Sequence, residues 1–451
     1  MIEKIATSLS AFELYTIFKE QEYSFILDSN LNNNLGRYSF VSAQPFEVLK
    51  YDLDNERPLA KLRTKLDQYA VENTSDLPFI GGAVGYLSYD LCHCIEELPR
   101  RAKKDVVVPD LYMGLYDWVL VIDHGQDEVY FASPNLDLNK ENNIKEKVIG
   151  KIRLAEKNEF FNQVPENEIK CSNLKANFTR QQYLSAIKKI QHYIETGYIY
   201  QVNLSQKIKG EINCSGYQLY KRLREISPAP FAAFLEFPEI EILSNSPERF
   251  IKVRDNLIET RPIKGTRPRG KTEQEDEKMR QELLASEKDK AELLMIVDLE
   301  RNDLAKVSKV GSVEVPQLYE LEEYANVHHL VATIKSELEV DKDVIDLIEA
   351  TFPGGSITGA PKIRAMEIID ELESTQRNIY TGSIGYLGFD GSLDLNIAIR
   401  TIVKQNKQIN FNVGGGITWN SNPESEYQET LDKAQAIMKA VNGDYAGENF
   451  F

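Results

Sequence analysis

No apolar run in this chain approaches the roughly 20 residues that a bilayer-spanning helix needs, which excludes an integral helical membrane protein. Cysteine is scarce as well. Four residues (Cys92, Cys94, Cys171 and Cys214) are scattered through 451, too few for a disulfide framework. The stretch "LCHCIEE" has a C-x-C pair but no second pair of ligands with zinc-site spacing, so reduced thiols are the expectation. Positive charge is short too: 53 Lys and Arg stand against 70 Asp and Glu, a net charge of −17. That balance excludes nucleic acid as the main partner. The opening "MIEKIATSLSAFELY" carries acidic residues and no apolar leader, so a cytoplasmic location is expected. What remains is an average soluble composition, 42% hydrophobic and 27% charged, long enough for a sizeable core.

Two regions and no repeats are visible. Residues 1–132 hold short alternating runs such as "YSFILDS", "RYSFVSA" and "LYDWVLVIDHGQDEVYFAS", which predict antiparallel strands and hairpins. Residues 133–178 are polar and charged, with one surface helix, and read as a connecting segment. Residues 179–440 form a second region that opens with a capping box, Thr179 with Gln182. Apolar positions follow at helical spacing (Tyr183, Ile187, Ile190, Ile194), and Gly197 is placed to close the helix. Strands come next, then one long charged helix over "TEQEDEKMRQELLASEKDKAELLMIVDLERND". Then follow a Gly/Pro turn before "APKIRAMEIIDELE", further strands, and a last helix over 424–441. Strands and helices are grouped rather than alternating. The expected class is α+β, with large antiparallel sheets packed as a sandwich and helices outside.

Several residue sets could carry chemistry. Asp289 with Glu292, and Glu426 with Glu429, stand three apart on helices, so each pair can aim its carboxylates in one direction. Magnesium is commonly held by one or two carboxylates plus substrate oxygens; a solvated helix face is the plainer explanation for either pair alone. "FPGGSITGAPKIRA" sets glycines before a helix, where free N–H groups and the dipole favour an anion. "NVGGGIT" lets backbone approach a ligand at a strand end. Neither has Walker or dinucleotide spacing. In "ETRPIKGTRPRGKT", Lys264 lies among Arg261, Arg267 and Arg269. A lysine becomes a nucleophile when burial and nearby cations make its amine neutral. Hairpin geometry could bring Glu248 of "SNSPERF" close enough to protonate a leaving group. A lysine that merely bonds a turn is equally compatible with these residues.

Taken together, "SNSPERF", "PIKGTRPRG", "ELLMIVDLERNDL", "VHHLVATI", "FPGGSITGAPK", "YTGSIGY", "DLNIAIRT", "NVGGGIT" and "PESEYQETLDKA" resemble the chorismate-utilising enzymes, in order and through nearly all of residues 180–438. That family includes anthranilate, aminodeoxychorismate, isochorismate and salicylate synthases. "GRYSFVSAQP" and "GGAVGYLSYDL" resemble its N-terminal region more weakly. The water-using members have a lysine base where this chain has Gln201, which looks like the ammonia-using members. Lys264 then resembles the branch that places nitrogen at C4, whereas the anthranilate-forming branch carries alanine there.

The resemblance implies roles residue by residue. Lys264 would attack C2 of chorismate while Glu248 protonates the departing C4 hydroxyl, and the arginines would help keep Lys264 neutral. Glu292 and Glu429 match the Mg²⁺ ligands, with Asp289 and Glu426 close behind. Tyr380, Arg400, Gly414, Gly416 and Lys433 match positions that hold substrate carboxylates; His329 and Ser356 match ring-side positions. Ser29, Arg37, Tyr38, Pro230 and Phe231 would line an amino-acid pocket, in which Asp28 replaces the glutamate of tryptophan-regulated relatives. No amidotransferase signature is visible, so a separate glutamine amidotransferase subunit would deliver ammonia in a heterodimer. A lyase domain that would finish 4-aminobenzoate is also not expected. The rival expectations are an anthranilate-forming enzyme and a non-catalytic subunit that binds chorismate or an amino acid.

Overall fold

The computed structural model describes residues 1–31, 35–53, 57–157, 168–323 and 327–442. Part of the connecting segment, 158–167, therefore lies outside the described residues. Two large sheets dominate, one of 12 strands and one of 10. Among the described residues every strand ladder is antiparallel. Strands from residues 1–132 and from residues after 179 share both sheets. Ser24–Asp28 pairs with Phe231–Phe237 in the larger, and Gly82–Leu87 pairs with Ser383–Gly388 in the smaller.

Side-chain alternation explains why the sheets stack. In the larger sheet Phe25, Val119, Val121, Leu235 and Ile242 point to one face, and their neighbours Ile26, Leu120, Ile122, Phe234 and Leu243 to the other. The first set meets Val84, Tyr86, Tyr112 and Ile384 of the smaller sheet, forming the core between the sheets. The second set is covered by the helices Ala11–Phe18, Gly216–Ile226 and Pro423–Asn442. The smaller sheet's outer face, with Ala83, Leu87, Ile251 and Val253, packs under Leu293, Val297, Ile345 and Ile348 of Glu287–Ala305 and Val344–Thr351. Strands buried on both faces cannot show a polar side, which is why several read as continuous apolar runs. The α+β sandwich with outer helices is the architecture found.

The capping box forms as expected. Thr179 Oγ1 accepts from the Gln182 N–H, and Gln182 accepts from the Thr179 N–H at 2.9 Å, starting the helix Arg180–Glu195. The single long charged helix is instead two, Glu273–Ala285 and Glu287–Ala305. Ser286 between them is extended, and its hydroxyl accepts from the Asp289 N–H, ending one helix and capping the next. The stretch "EILSNSPERFIKV" also divides. Ile240–Ser246 belongs to the larger sheet and Arg249–Arg254 to the smaller, so the chain crosses between sheets at Pro247 and Glu248. Replacing fully buried Leu235, between the sheets, by alanine should cost about 2–5 kcal/mol. A lowered urea midpoint measures it; an unchanged midpoint would mean the sheets do not pack through this residue.

Candidate active site

The crossing places Glu248 inside the sandwich, 7% exposed, with its backbone carbonyl accepting from the Ile397 N–H. Lys264 lies on Ile263–Pro268, the strand that ends the smaller sheet's path and pairs with Val327–Glu337. The next residue, Gly265, has φ +75°, and a Cβ there would sit 2.8 Å from Leu283 and 2.9 Å from Asp289. Only glycine lets this strand lie against the helices carrying the acidic residues. Lys264 Nζ donates to the Ser356 carbonyl at 2.9 Å, and Asn203 Nδ2 of the larger sheet donates to the same oxygen at 3.0 Å.

Electrostatics follow from enclosure. Removal from water lowers the Lys264 pKa; the carboxylates of Glu248 and Glu292 oppose that, and the Lys433 ammonium adds to it. Burial raises the Glu248 pKa, partly offset by a hydrogen bond with Ser356 and by Lys264. The pair thus combines an amine pushed toward neutrality with an acid pushed toward keeping its proton. The three arginines do not act on Lys264 as expected. Arg261 pairs with Glu322, Arg267 with Asp289 at 3.0 Å, and Arg269 with Asp276 at 2.7 Å. Each is neutralised by its own carboxylate, and desolvation takes their place.

Facing Lys264 is an acidic cluster. Glu292 is raised by burial, and its buried Oε1 has no hydrogen-bond partner among the described residues. Glu426, 6% exposed, accepts from Ser421 Oγ at 2.6 Å and is likewise raised by burial. Burial also pushes Glu429 upward, but the Lys433 ammonium at 2.7 Å, together with Lys288 and Lys264, outweighs it and holds Glu429 below the usual carboxylate range. Lys288 Nζ stands 3.8 Å from Glu292 and 4.0 Å from Glu426, so a cation already spans the two helices. Gly415 runs beneath, where a Cβ would be 3.2 Å from Glu429 Oε1. Asp289 is turned to Arg267 instead. Among the described residues no three such side chains converge as a closed cage. An orphan carboxylate oxygen and a lysine ammonium spanning the pair fit a divalent cation held by two carboxylates and substrate oxygens.

Lys433, whose charge acts on Lys264, and His329, bonded to Thr266 two residues from Lys264, lie beside this centre. Lys433 Nζ donates to the Gly414 carbonyl at 2.9 Å. Gly416 leaves room for Gln201, whose Nε2 would lie 2.5 Å from a Cβ there. His329, 4% exposed, shares a 2.9 Å hydrogen bond with Thr266 Oγ1. Burial and the nearby Arg400 charge lower it to about 4, so it is neutral at physiological pH. Arg400 has φ 50°, a strained backbone of the sort that collects at functional sites. Tyr380 lies against the Arg377 guanidinium, 5.7 Å from its ring centre. The glycine turn is not the first turn of a helix: Gly355–Ile357 is a short 3₁₀ turn, and the helix begins later, at Lys362. Its role is to present the Ser356 carbonyl and hydroxyl.

Away from this centre, Ser29, Arg37, Tyr38, Pro230 and Phe231 line a cavity of about 840 Å³ between the sheets. Ser29 donates to the Pro230 carbonyl at 2.9 Å, and Arg37 holds Asp123 at 2.7 Å. Sequence reasoning missed Glu300, raised by burial to about 8 and bonded by Thr260 Oγ1 at 3.1 Å. It also missed the pair Glu373 and Arg377, 3% and 2% exposed and joined at 2.7 Å. The alternating polarity of "QVNLSQK" was the available signal for a buried polar face beside that pair.

This sandwich, with an enclosed lysine, a buried acid and an acidic cation cradle, defines the class. The chain belongs to the chorismate binding enzyme family, whose model matches residues 17–439. It is 46% identical over 420 residues to aminodeoxychorismate synthase component 1 of Escherichia coli (strain K12), covering 90% of both chains. It is 35% identical over 461 residues to anthranilate synthase component 1 of Aquifex aeolicus (strain VF5), covering 97% of this chain and 93% of that one. The crystal structure of anthranilate synthase component I from Streptococcus pneumoniae TIGR4 superposes with a TM-score of 0.80 at 29% identity, over 96% of this chain and 99% of that one.

One prediction concerns stability. The folded pKa of His329 is depressed, so the unfolded chain binds more protons below its ordinary value near 6.5. Stability should fall as pH drops from about 6.5 to 4, by roughly 3 kcal/mol from this residue. Urea unfolding of wild type and His329→Gln across that window checks it; equal pH slopes would contradict it.

Proposed function

We propose that the chain is an aminodeoxychorismate synthase component 1, an enzyme that converts chorismate and ammonia into 4-amino-4-deoxychorismate on the route to 4-aminobenzoate and folate. The observation that carries the mechanism is the enclosed pair of Lys264 and Glu248, an amine driven toward neutrality beside an acid driven toward protonation. The neutral Lys264 amine attacks C2 of chorismate. The ring double bond shifts, the C4–O bond breaks, and Glu248 gives its proton so that water leaves. Ammonia then adds at C4, the double bond returns, and the C2–N bond breaks with its electron pair going back to Lys264. The new C4 ammonium loses a proton to the Glu248 carboxylate, restoring the acid.

Chorismate is a dianion, and Lys433 and Arg400 would be the cations that meet its carboxylates. Glu292 and Glu429, with Glu426 behind them, would hold Mg²⁺, which when bound neutralises the carboxylates facing the substrate. Gln201, Tyr380, His329 and Ser356 would form the walls around the ring. The ammonia would come from a separate glutamine amidotransferase subunit, which the designation "component 1" of the 46% identical relative supports. Among the described residues no helix is long and apolar enough to cross a membrane. We assign the segments as a residue 1–132 N-terminal region, a connection and a catalytic region of 179–440. The cavity at Ser29 and Phe231 would take an amino acid.

The test is product analysis. Incubated with chorismate, magnesium and an ammonium salt, the chain should form aminodeoxychorismate without pyruvate; anthranilate with stoichiometric pyruvate would overturn the reading. Lys264→Ala should lower turnover by about a hundredfold or more, and full retention would remove the lysine from the mechanism. The pH profile of kcat/KM should be bell-shaped. Activity falls at low pH as Lys264 gains a proton and at high pH as Glu248 loses one, and both limbs are drawn toward neutrality by burial. Glu429→Gln should raise the magnesium concentration needed for half-maximal rate, and an unchanged requirement would remove Glu429 as a ligand.

A further inference from the structure

The mechanism leaves one cation beside the acidic cluster without a task. Lys288 lies in the first turn of the helix Glu287–Ala305. Its Nζ stands 3.8 Å from Glu292 Oε1 on the same helix and 4.0 Å from Glu426 Oε1 on Pro423–Asn442. Both are ion-pair distances and too long for hydrogen bonds. The lysine side chain is 52% exposed, whereas those of Glu292 and Glu426 are 17% and 7% exposed. It therefore reaches from solvent across two largely enclosed carboxylates and is fixed tightly by neither.

Helix stability does not explain a lysine at this position. The amino end of a helix carries partial positive charge, so a cation in the first turn is disfavoured. The neighbours Glu287 and Asp289 obey that preference. Lysine four residues before glutamate is also the weaker order for such a pair, since glutamate before lysine agrees better with the helix dipole. Lys288 runs against both rules, at the one turn from which its ammonium comes between two helices.

What that place requires is positive charge. Glu292 Oε1 is buried and has no hydrogen-bond partner among the described residues, and Glu426 accepts from Ser421 Oγ. Carboxylates brought together from different helices repel unless a cation lies between them. Lys288 supplies that cation from the chain itself, and the carboxylates it spans are among those that fit magnesium. An ammonium and a divalent ion repel each other at this range, so the lysine must turn outward for the ion to bind. Its exposure leaves it free to do so.

We infer that Lys288 is the internal counter-ion of the cradle: it bridges Glu292 and Glu426 while no metal is bound, and it competes with magnesium for them. The inference rests on the reading of Glu292, Glu426 and Glu429 as the magnesium cradle. A site that must first release its own cation binds more weakly, in proportion to the fraction of time that the site is open. The test titrates magnesium chloride into the full chain without chorismate, read by calorimetry and by the rise in melting temperature. Lys288→Met should bind magnesium about three- to tenfold more tightly than wild type, the range expected from two loose ion pairs. It should also melt below wild type before magnesium is added. Lys288→Arg keeps the charge and should bind no more tightly than wild type. Lys290→Met removes a charge two residues away, where the partner is Glu287, and should bind as wild type does. Equal binding by Lys288→Met and wild type, including none by either, would overturn the inference, and so would weaker binding by the variant. Equal tightening in Lys290→Met or Lys288→Arg would overturn it too, as an effect of net charge or of side-chain shape. Glu429→Gln separates the underlying reading: if it leaves magnesium binding intact, the ion sits elsewhere and the cradle itself has been misassigned.

Discussion

One carbonyl oxygen, that of Ser356, accepts from Lys264 at the end of the smaller sheet and from Asn203 in the larger. The catalytic geometry hangs on this double contact. It ties the two sheets together beside their apolar core, and it orients the lysine amine with a hydrogen bond that a neutral amine can still make. The Ser356 hydroxyl, one residue's reach away, bonds Glu248. A short 3₁₀ turn therefore aligns Lys264 and Glu248 together, and Gly354 and Gly355 at its start let it pack against Ile397 and Leu299.

The charge puzzle of a protein at −17 that takes an anionic substrate resolves at the same place. Positive charge is not in surplus there; it is placed. Lys433 and Lys288 stand against Glu429, Glu292 and Glu426, which lets the carboxylates lie close together. A divalent ion would take over that duty and leave the lysines to the substrate. The arginines around Lys264 build the strand's surroundings by pairing with their own carboxylates. The Lys264 amine is tuned by withheld water, an effect that depends on depth and not on sequence neighbours.

That difference marks what the sequence could and could not tell. The sandwich was legible because strands and helices are grouped along the chain rather than alternating, and the capping box at Thr179 specified its helix locally. The acid residues at i and i+3 were legible as pairs because helix geometry is fixed. The division of the long charged helix was not, since Ser286 has an acceptable helix propensity and breaks the helix by capping the next one. Nor was the partner of each arginine, because Glu322, Asp276 and Asp289 reach them only through tertiary folding. The polar face of Gln201, Asn203 and Ser205 was written in the alternation of the strand, but its burial depends on a sheet and a helix that sequence spacing does not locate.

The measurement that tests the central claim most directly is mass spectrometry of the protein quenched in the presence of chorismate and magnesium with ammonia withheld. Digestion then locates any modified residue. The account predicts an adduct of chorismate less one water on the peptide that contains Lys264, discharged when ammonium is added and missing from Lys264→Ala. Turnover to the aminated product without any such adduct, under the same quench, would show that ammonia attacks directly and that Lys264 is not the nucleophile.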